Sequence, residues 1–334
     1  MKVKSILLIL TFFCASVFAN EESKAIHAKI KLMKKEVSSL RKAKKIKESR
    51  ALNKQVIALH HKVLWLDHGE QIKSDIKNME VQKPKKARKV LIYSKTTGFR
   101  HTSIELAADV LKLLGEQSGA YTSTHTEDAE MINDAELAKY DVILMLSTTN
   151  NPIKSPEQRA AFEKFMASNK GLVGIHAATD CHKDWPEYLE AMGGIFDGHP
   201  WGAGSTVTLY NEGLDHPCCK HVPQGYKIRD EIYQYKDDEH FTRDKMRVLL
   251  SLDLSGENMM KKNMKRKDND YAVSWLRSYT GSRVFYTNLG HNEATYFDKV
   301  ALQHMLSGIQ YACGDLEADA TPSAKLGLLP KPVK

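Results

Sequence analysis

Cysteine is scarce in this chain, five in 334 residues, and no two are spaced Cys-x-x-Cys, so the common zinc-ribbon pattern is excluded. There is no Gly-x-Ser-x-Gly, which removes the support for an ordinary serine hydrolase elbow. Gly193-Gly194 follows a helical pattern rather than a strand, so it opens no dinucleotide fingerprint. No His-x-x-x-His pair anchors a metal assignment, and no internal repeat is present. The apolar run from Ile6 to Phe13 is too short to span a bilayer as a stable anchor. With Lys2 and Lys4 before it and Val17 and Ala19 before Asn20, it reads as a signal peptide over residues 1–19, with no transmembrane span left in the mature chain. Export to a periplasmic or extracellular location follows as an expectation. In an oxidising compartment Cys181, Cys218, Cys219 and Cys313 have three ways to pair.

Residues 21–79 hold no proline and one glycine. Ile26, Ile30, Met33, Val37 and Leu40 step by four and three, and Leu52, Val56, Leu59, Val63 and Leu66 do the same. A helical segment over 20–80 follows, as either a hairpin or one rod. A coiled-coil-like homo-oligomerisation or attachment role for 21–79 and a solvated spacer fit equally well. The net charge of +8 is uneven: residues 21–89 carry +12, Lys2 and Lys4 add two, and the body from 90 onward carries −6. That body offers no electrostatic case for nucleic acid, and the basic segment lacks interleaved aromatics.

Residues 81–88, with Pro84 and several cations, read as a linker, and 315–334 as an extended or mobile tail. Between them, over 89–314, strand and helix patterns alternate: strands at 90–93, 121–125, 140–146 and 172–175, helices at 103–114 and 155–167. This order predicts an α/β fold with a doubly wound parallel sheet. Further strand-like runs lie at 206–209, 231–235, 246–252, 271–275 and 283–287, with a last helix near 297–312.

Polar residues gather at strand ends and in glycine-rich loops, where α/β sheets bind ligands. His101 follows the first strand, His176 and Asp180 follow the 172–175 strand, His199 lies in a loop with five glycines, Glu231 and Tyr233 in a fourth segment, and His291 closes the last. His101, His176, His199 and His291, with nearby carboxylates, can hold zinc or a similar divalent ion, or move protons near neutral pH. His176 and His101 are the expected acid/base or metal pair, with Asp180 orienting an imidazole. Arg100 is expected to clamp a substrate oxygen, while Trp201 and Tyr233 stack on a sugar ring and His199, Glu231 and His291 complete a polar wall.

Six segments carry a resemblance to a known family: Gly98-Phe99-Arg100-His101, Gly174-Ile175-His176, Phe196 to Pro200, Asp230-Glu231-Ile232-Tyr233, Ser274 to Arg277, and Arg283 to His291. Over about 88–313 the chain resembles the ThuA family, named for trehalose utilisation. The resemblance implies a flavodoxin-like fold similar to class I glutamine amidotransferases. It also implies an association with the breakdown of disaccharides, including oxidised 3-keto sugars. Where those amidotransferases carry a nucleophilic cysteine, this chain has His176, and Cys181 lies five residues on, so thiol amidotransfer is not expected. The expectation is a hydrolase, lyase or isomerase acting on a carbohydrate small molecule, and the alternative is a non-catalytic glycan-binding module clustered by its N-terminal helices.

Overall fold

The computed structural model describes residues 2–331, with side chains described from Glu21 onward; the side chains of the expected signal peptide therefore lie outside the described residues. Two compact units divide the chain, 1–74 and 75–334.

The first unit is a helical hairpin of α1 (Lys2–Lys42) and α2 (Ile46–Lys77). Lys44 takes a left-handed φ of 57°, and the Lys45 amide reaches back to the Leu40 carbonyl at 2.9 Å, which closes α1 and reverses the chain. Ile26, Ile30 and Val37 bury against Val56 and Val63, with Met33, Leu52, Leu59 and Leu66 packed at the margin. Both apolar stripes thus meet within a single chain, so the rod is ruled out. No helix among the described residues is long and apolar enough to cross a membrane.

The second unit is a mixed α/β domain on a nine-stranded sheet. Its strands are β1 (Lys89–Tyr93), β2 (Thr122–Thr126), β3 (Val142–Leu146), β4 (Gly171–Ile175), β5 (Thr206–Asn211), β6 (Lys227–Arg229), β7 (Arg247–Leu252), β8 (Ala272–Tyr279) and β9 (Ser282–Thr287). Their order is β2-β1-β3-β4-β9-β8-β7-β5-β6. The first five strands of that order run parallel. From β9 through β8, β7 and β5 to β6 every pairing is antiparallel. The expected parallel sheet is therefore its central part, extended by an antiparallel wing. Strands β3 and β4 are buried along their whole length, as continuous apolar runs covered on both faces require, whereas β2 lies at the edge and alternates little because it is largely polar.

Helices cover the sheet: α3 (Ile104–Ser118), the single turn α4 (Asp134–Leu137), α5 (Pro156–Met166), α6 (Pro186–Met192) and α7 (Lys299–Cys313). Ser155 caps α5 by accepting from the Gln158 amide, with Pro156 at the first helical position. Helix α7 is buried from Ala301 to Cys313 and packs on β9 and β4. Gly308 lets it lie this close, since a Cβ there would enter the Phe285 ring.

Three expectations change. Residues 231–235 form no regular strand; the chain there runs extended, joined through isolated bridges of Ile232 to Trp201 and Tyr235 to Phe196. The tail is not loose: a short turn at Ser323–Leu326 docks through the Ser323 amide to the Met246 carbonyl and the Ala324 amide to Arg243. Residues 80–88 are likewise tied down, with the backbone amides of Glu80, Gln82 and Lys85 donating to Gln303, Gln310 and Asp315. The four described cysteines are buried free thiols.

Candidate metal centre

The site forms where parallel strands end. The chain leaves β4 through His176, whose φ of 51° is left-handed, a strain of about 1–3 kcal/mol for a non-glycine residue that the surroundings must hold in place. Tyr286 Oη fixes the turn by donating to the His176 carbonyl at 2.6 Å. His176 is fully buried, and its Nδ1 lies 2.8 Å from the Asn288 carbonyl just past β9. A carbonyl only accepts, so Nδ1 carries the proton and Nε2 presents a bare lone pair.

Around that one lone pair stand Tyr233 Oη at 3.0 Å, His101 Nε2 at 3.1 Å and His291 Nδ1 at 3.3 Å. Glu231 Oε1 is 3.1 Å from His291 Nδ1 and 3.8 Å from His176 Nε2. One ligand atom each from His101, His176, Glu231 and His291 lies within 4.8 Å of all the others. Bonds of 2.0–2.2 Å to a tetrahedral zinc ion put neighbouring ligand atoms about 3.3–3.6 Å apart, and the separations of 3.1, 3.1, 3.3 and 3.8 Å given above bracket that value. Three imidazoles and a carboxylate also suit a borderline divalent metal by donor chemistry.

Burial pushes His176 well below the usual imidazole range, helped by the like charges His101 and His291 would carry, and holds His101 down at about 4. Burial also acts against a charge on His291, but its bond to Glu231 and the charges of Glu231, Asp230 and Glu293 outweigh that and raise it. Glu231 is lowered: burial works to raise it, and the bond to His291 with the charges of His291, His199 and His101 prevails. Burial thus favours the neutral forms of His101 and His176, while His291 and Glu231 each favour the other's charged form.

The loops are held from below. Asp230 is fully buried and its carboxylate accepts from the Gly290 amide at 2.7 Å, Asn292 amide at 2.9 Å, Thr295 hydroxyl at 2.8 Å and Glu231 amide at 3.0 Å. It thereby fixes the backbone on both sides of His291 and at Glu231. Gly290, at φ 129°, has no room for a Cβ because Tyr296 Oη would lie 2.5 Å away. Ser103 Oγ donates to the Gly290 carbonyl, which joins the His101 loop to the His291 loop. Asp230 and Asn288 lie in the segments singled out from the sequence, but only the fold reveals that they position other groups.

The other sequence-derived candidates fall elsewhere. His199 is half exposed at the rim, its Nδ1 3.7 Å from Glu231 Oε2. Tyr233 does not offer a free face; its ring is tilted against His176 with centroids 4.5 Å apart. Asp180 orients no imidazole in this arrangement: its carboxylate pairs with Lys183 at 2.7 Å, and the Asn288 carbonyl orients His176 instead. Arg100 Nη2 is shared by Glu105 at 2.9 Å and Glu127 at 2.7 Å, so this guanidinium turns toward two carboxylates of its own chain and not into the cluster. Trp201 is buried, donates to the Met259 carbonyl and packs edge-on against Tyr271, which makes it a core residue with no face for a sugar.

Beside the cluster, a groove of about 450 Å³ runs along Gly98, Phe99, Thr149, Asn150, Asn151, Asp180, Lys183 and Asp184. Phe99 separates the two, its ring edge-on to His101 with centroids 4.8 Å apart.

Comparison with known proteins agrees with this architecture. A ThuA-like protein of Bacteroides uniformis has a similar solved structure, with a TM-score of 0.57 and 25% identity over 70% of this chain and 93% of that one. A ThuA-like protein of Parabacteroides merdae shares the fold at a TM-score of 0.51 and 19% identity, over 68% and 90% of the two chains. No curated protein matches the sequence. The model of the ThuA family, described as trehalose utilisation, matches residues 89–312, which hold every strand and every member of the histidine cluster, and the chain belongs to that family.

Proposed function

We propose that the protein is an exported carbohydrate-processing enzyme acting on a disaccharide, glycoside or keto-sugar derivative, with a divalent ion, zinc in the first instance, held by His101, His176, His291 and Glu231. The observation that carries this reading is the convergence of three imidazole nitrogens and one carboxylate oxygen within 4.8 Å at the end of the parallel strands. The sugar class is supported by the description of the family, and export by the basic and apolar leader of residues 1–19.

An ion in this position supplies a Lewis acid for a sugar carbonyl or hydroxyl oxygen. The chain's own groups do the rest. Asn288 keeps the His176 lone pair facing inward, and Asp230 holds His291 and Glu231 in register. Tyr233 Oη, which bonds His176 Nε2 at 3.0 Å, is placed to donate to a substrate oxygen entering the cluster. His199, half exposed with its Nδ1 3.7 Å from Glu231 Oε2, stands at the rim where a substrate hydroxyl would meet it. Cys181 is no nucleophile: it is fully buried, and burial pushes its thiol far above the usual range.

The test is metal analysis of the purified mature protein beside His176→Ala, both checked for folding, with turnover of trehalose and its 3-keto derivative followed with and without chelator. Near-stoichiometric metal that the folded variant loses, with chelator-sensitive turnover, is the expected result. A folded, metal-free wild type with no turnover, or with turnover indifferent to His176→Ala, would overturn the reading. Saturable sugar binding with no product in any metal state would replace it with a glycan-binding module.

A further inference from the structure

We infer that the groove beside the histidine cluster is a monosaccharide-binding subsite, with Phe99 as its stacking platform and Asp180, Asp184, Asn150 and Asn151 as its hydroxyl-binding groups. This deepens the reading of the cluster as a sugar-processing centre and rests on it for the substrate class. Phe99 is 65% exposed, an unusual setting for a phenyl ring in a domain whose other large aromatics are mostly buried. Its loop is nevertheless pinned: Thr149 Oγ1 donates to the Phe99 carbonyl at 2.7 Å, the Thr97 amide donates to the Thr149 carbonyl, and the Asn151 amide donates to Thr97 Oγ1. A rigidly held, exposed aromatic face loses little order on binding and covers the apolar C–H face of a pyranose.

The remaining walls match the other faces of a sugar. Carboxylates accept from vicinal hydroxyls, and side-chain amides both donate and accept; Asp180 Oδ1 also meets Lys183 at 2.7 Å and Asp184 Oδ2 meets Arg159 at 2.9 Å, so a sugar hydroxyl would share each carboxylate with its cation. Asp180 and Asp184 come from the segment after β4, Asn150 and Asn151 from the segment after β3, so two adjacent strand ends supply them. Asn150 sits at a left-handed φ of 59°, and its amide and carbonyl are tied to Asp180 and His182 on the neighbouring segment. Two backbone hydrogen bonds thus join the two rims. A volume of about 450 Å³ lies within the range of about 300–1,000 Å³ typical of small-molecule clefts.

Position gives the subsite its meaning. Because the Phe99 ring contacts His101, a sugar ring lying on Phe99 places its neighbouring linkage or ring carbon over the cluster. That geometry selects a substrate with a second unit beyond the reacting one, a disaccharide or glycoside rather than a free monosaccharide. Asp180 then belongs to substrate binding, not to imidazole orientation.

The test uses the full mature chain and titrates trehalose, maltose and glucose by calorimetry into wild type, Phe99→Ala and Asp180→Asn, with metal content measured on each. The subsite predicts that one or both disaccharides bind more tightly than glucose, that Phe99→Ala weakens that binding tenfold or more, and that Asp180→Asn weakens it severalfold, while the metal content of each variant stays at the wild-type level. If no disaccharide binds the wild type, or if both variants bind it unchanged, the subsite is wrong. Should the wild type hold no metal yet lose disaccharide binding through Phe99→Ala, the subsite stands and the metal centre falls.

Discussion

Asp230 offers the sharpest test of how the histidine loops are held. Its two carboxylate oxygens take four donors, three of them backbone amides, in a place closed to solvent. Burial raises its pKa, while the four bonds work the other way. Asp230→Asn preserves shape but turns one oxygen into an NH2 group. Thr295 can rotate its hydroxyl to accept from it, whereas the Gly290 amide, fixed in the backbone, cannot. One buried donor facing another costs about 1–3 kcal/mol, and the loss of charge on the remaining bonds brings the expected destabilisation to about 3 kcal/mol. For a domain of this size that lowers Tm by about 9 °C. The assay is thermal unfolding in chelator, followed by the near-ultraviolet signal to which Trp185, Trp201 and Trp275 contribute, with a metal competition titration alongside. Affinity for zinc should fall by about 10–100-fold, as it does when groups that orient ligands are altered. An Asp230→Asn protein with wild-type Tm and wild-type metal affinity would show that the loops are held by something else.

Acid should destabilise the domain well before its carboxylates titrate. His304 bonds the Cys218 carbonyl and Ser274 Oγ, and burial holds it neutral down to about 3; His182, also buried, is held to about 3 as well. Both native values lie below the unfolded one, so their contribution is present above about pH 6.5 and is lost as pH falls toward 3, at about 1.4 kcal/mol per unit for each. At pH 5 these two should have cost about 4 kcal/mol between them, on top of the share of the other depressed imidazoles His101, His176 and His221, visible as a falling urea midpoint between pH 7.5 and 5, and His304→Gln should lessen that fall by about 2 kcal/mol. A midpoint flat across this range would refute it. Gly308→Ala drives a methyl into the Phe285 ring and should destabilise by about 3 kcal/mol in the same urea assay; an unchanged midpoint would mean that α7 can slide on the sheet.

The parallel half of the sheet was legible because Val90 to Tyr93, Val142 to Leu146 and Leu172 to Ile175 are apolar runs that only double burial explains. The hairpin stripes were equally plain, although periodicity alone could not distinguish two helices from one. The antiparallel wing was harder. Ile232, Tyr233 and Tyr235 look like a strand, but that backbone meets its neighbours only through isolated bridges, while Tyr233 turns its hydroxyl onto His176. At the site, histidines at strand ends could be recognised by type and place, and the fold brings His101, His176 and His291 together with Glu231. Trp201 and Arg100 misled because residue type says nothing of which partner a side chain meets first: a carbonyl of Met259 and two glutamates claim them. Asp230 and Asn288 act through backbone groups distant in sequence, and no local pattern records such a bond.

The residues just ahead of β1 are bonded into the α/β domain itself. Arg88 forks onto the buried Asp315 carboxylate at 2.8 and 2.5 Å, while Gln303 and Gln310 on α7 each both accept from and donate to the backbone at Glu80 and Gln82. These residues are bonded along α7, and the turn at Ser323–Leu326 is bonded to β7 through Ser323 Oγ and the Val248 amide. The heritable unit of similarity, 89–312, is therefore smaller than the unit that folds. A fragment trimmed to that span would lose Arg88 and Asp315 as a pair and leave the Gln303 and Gln310 side chains stripped of their backbone partners, and its instability would say nothing about the chemistry of the family.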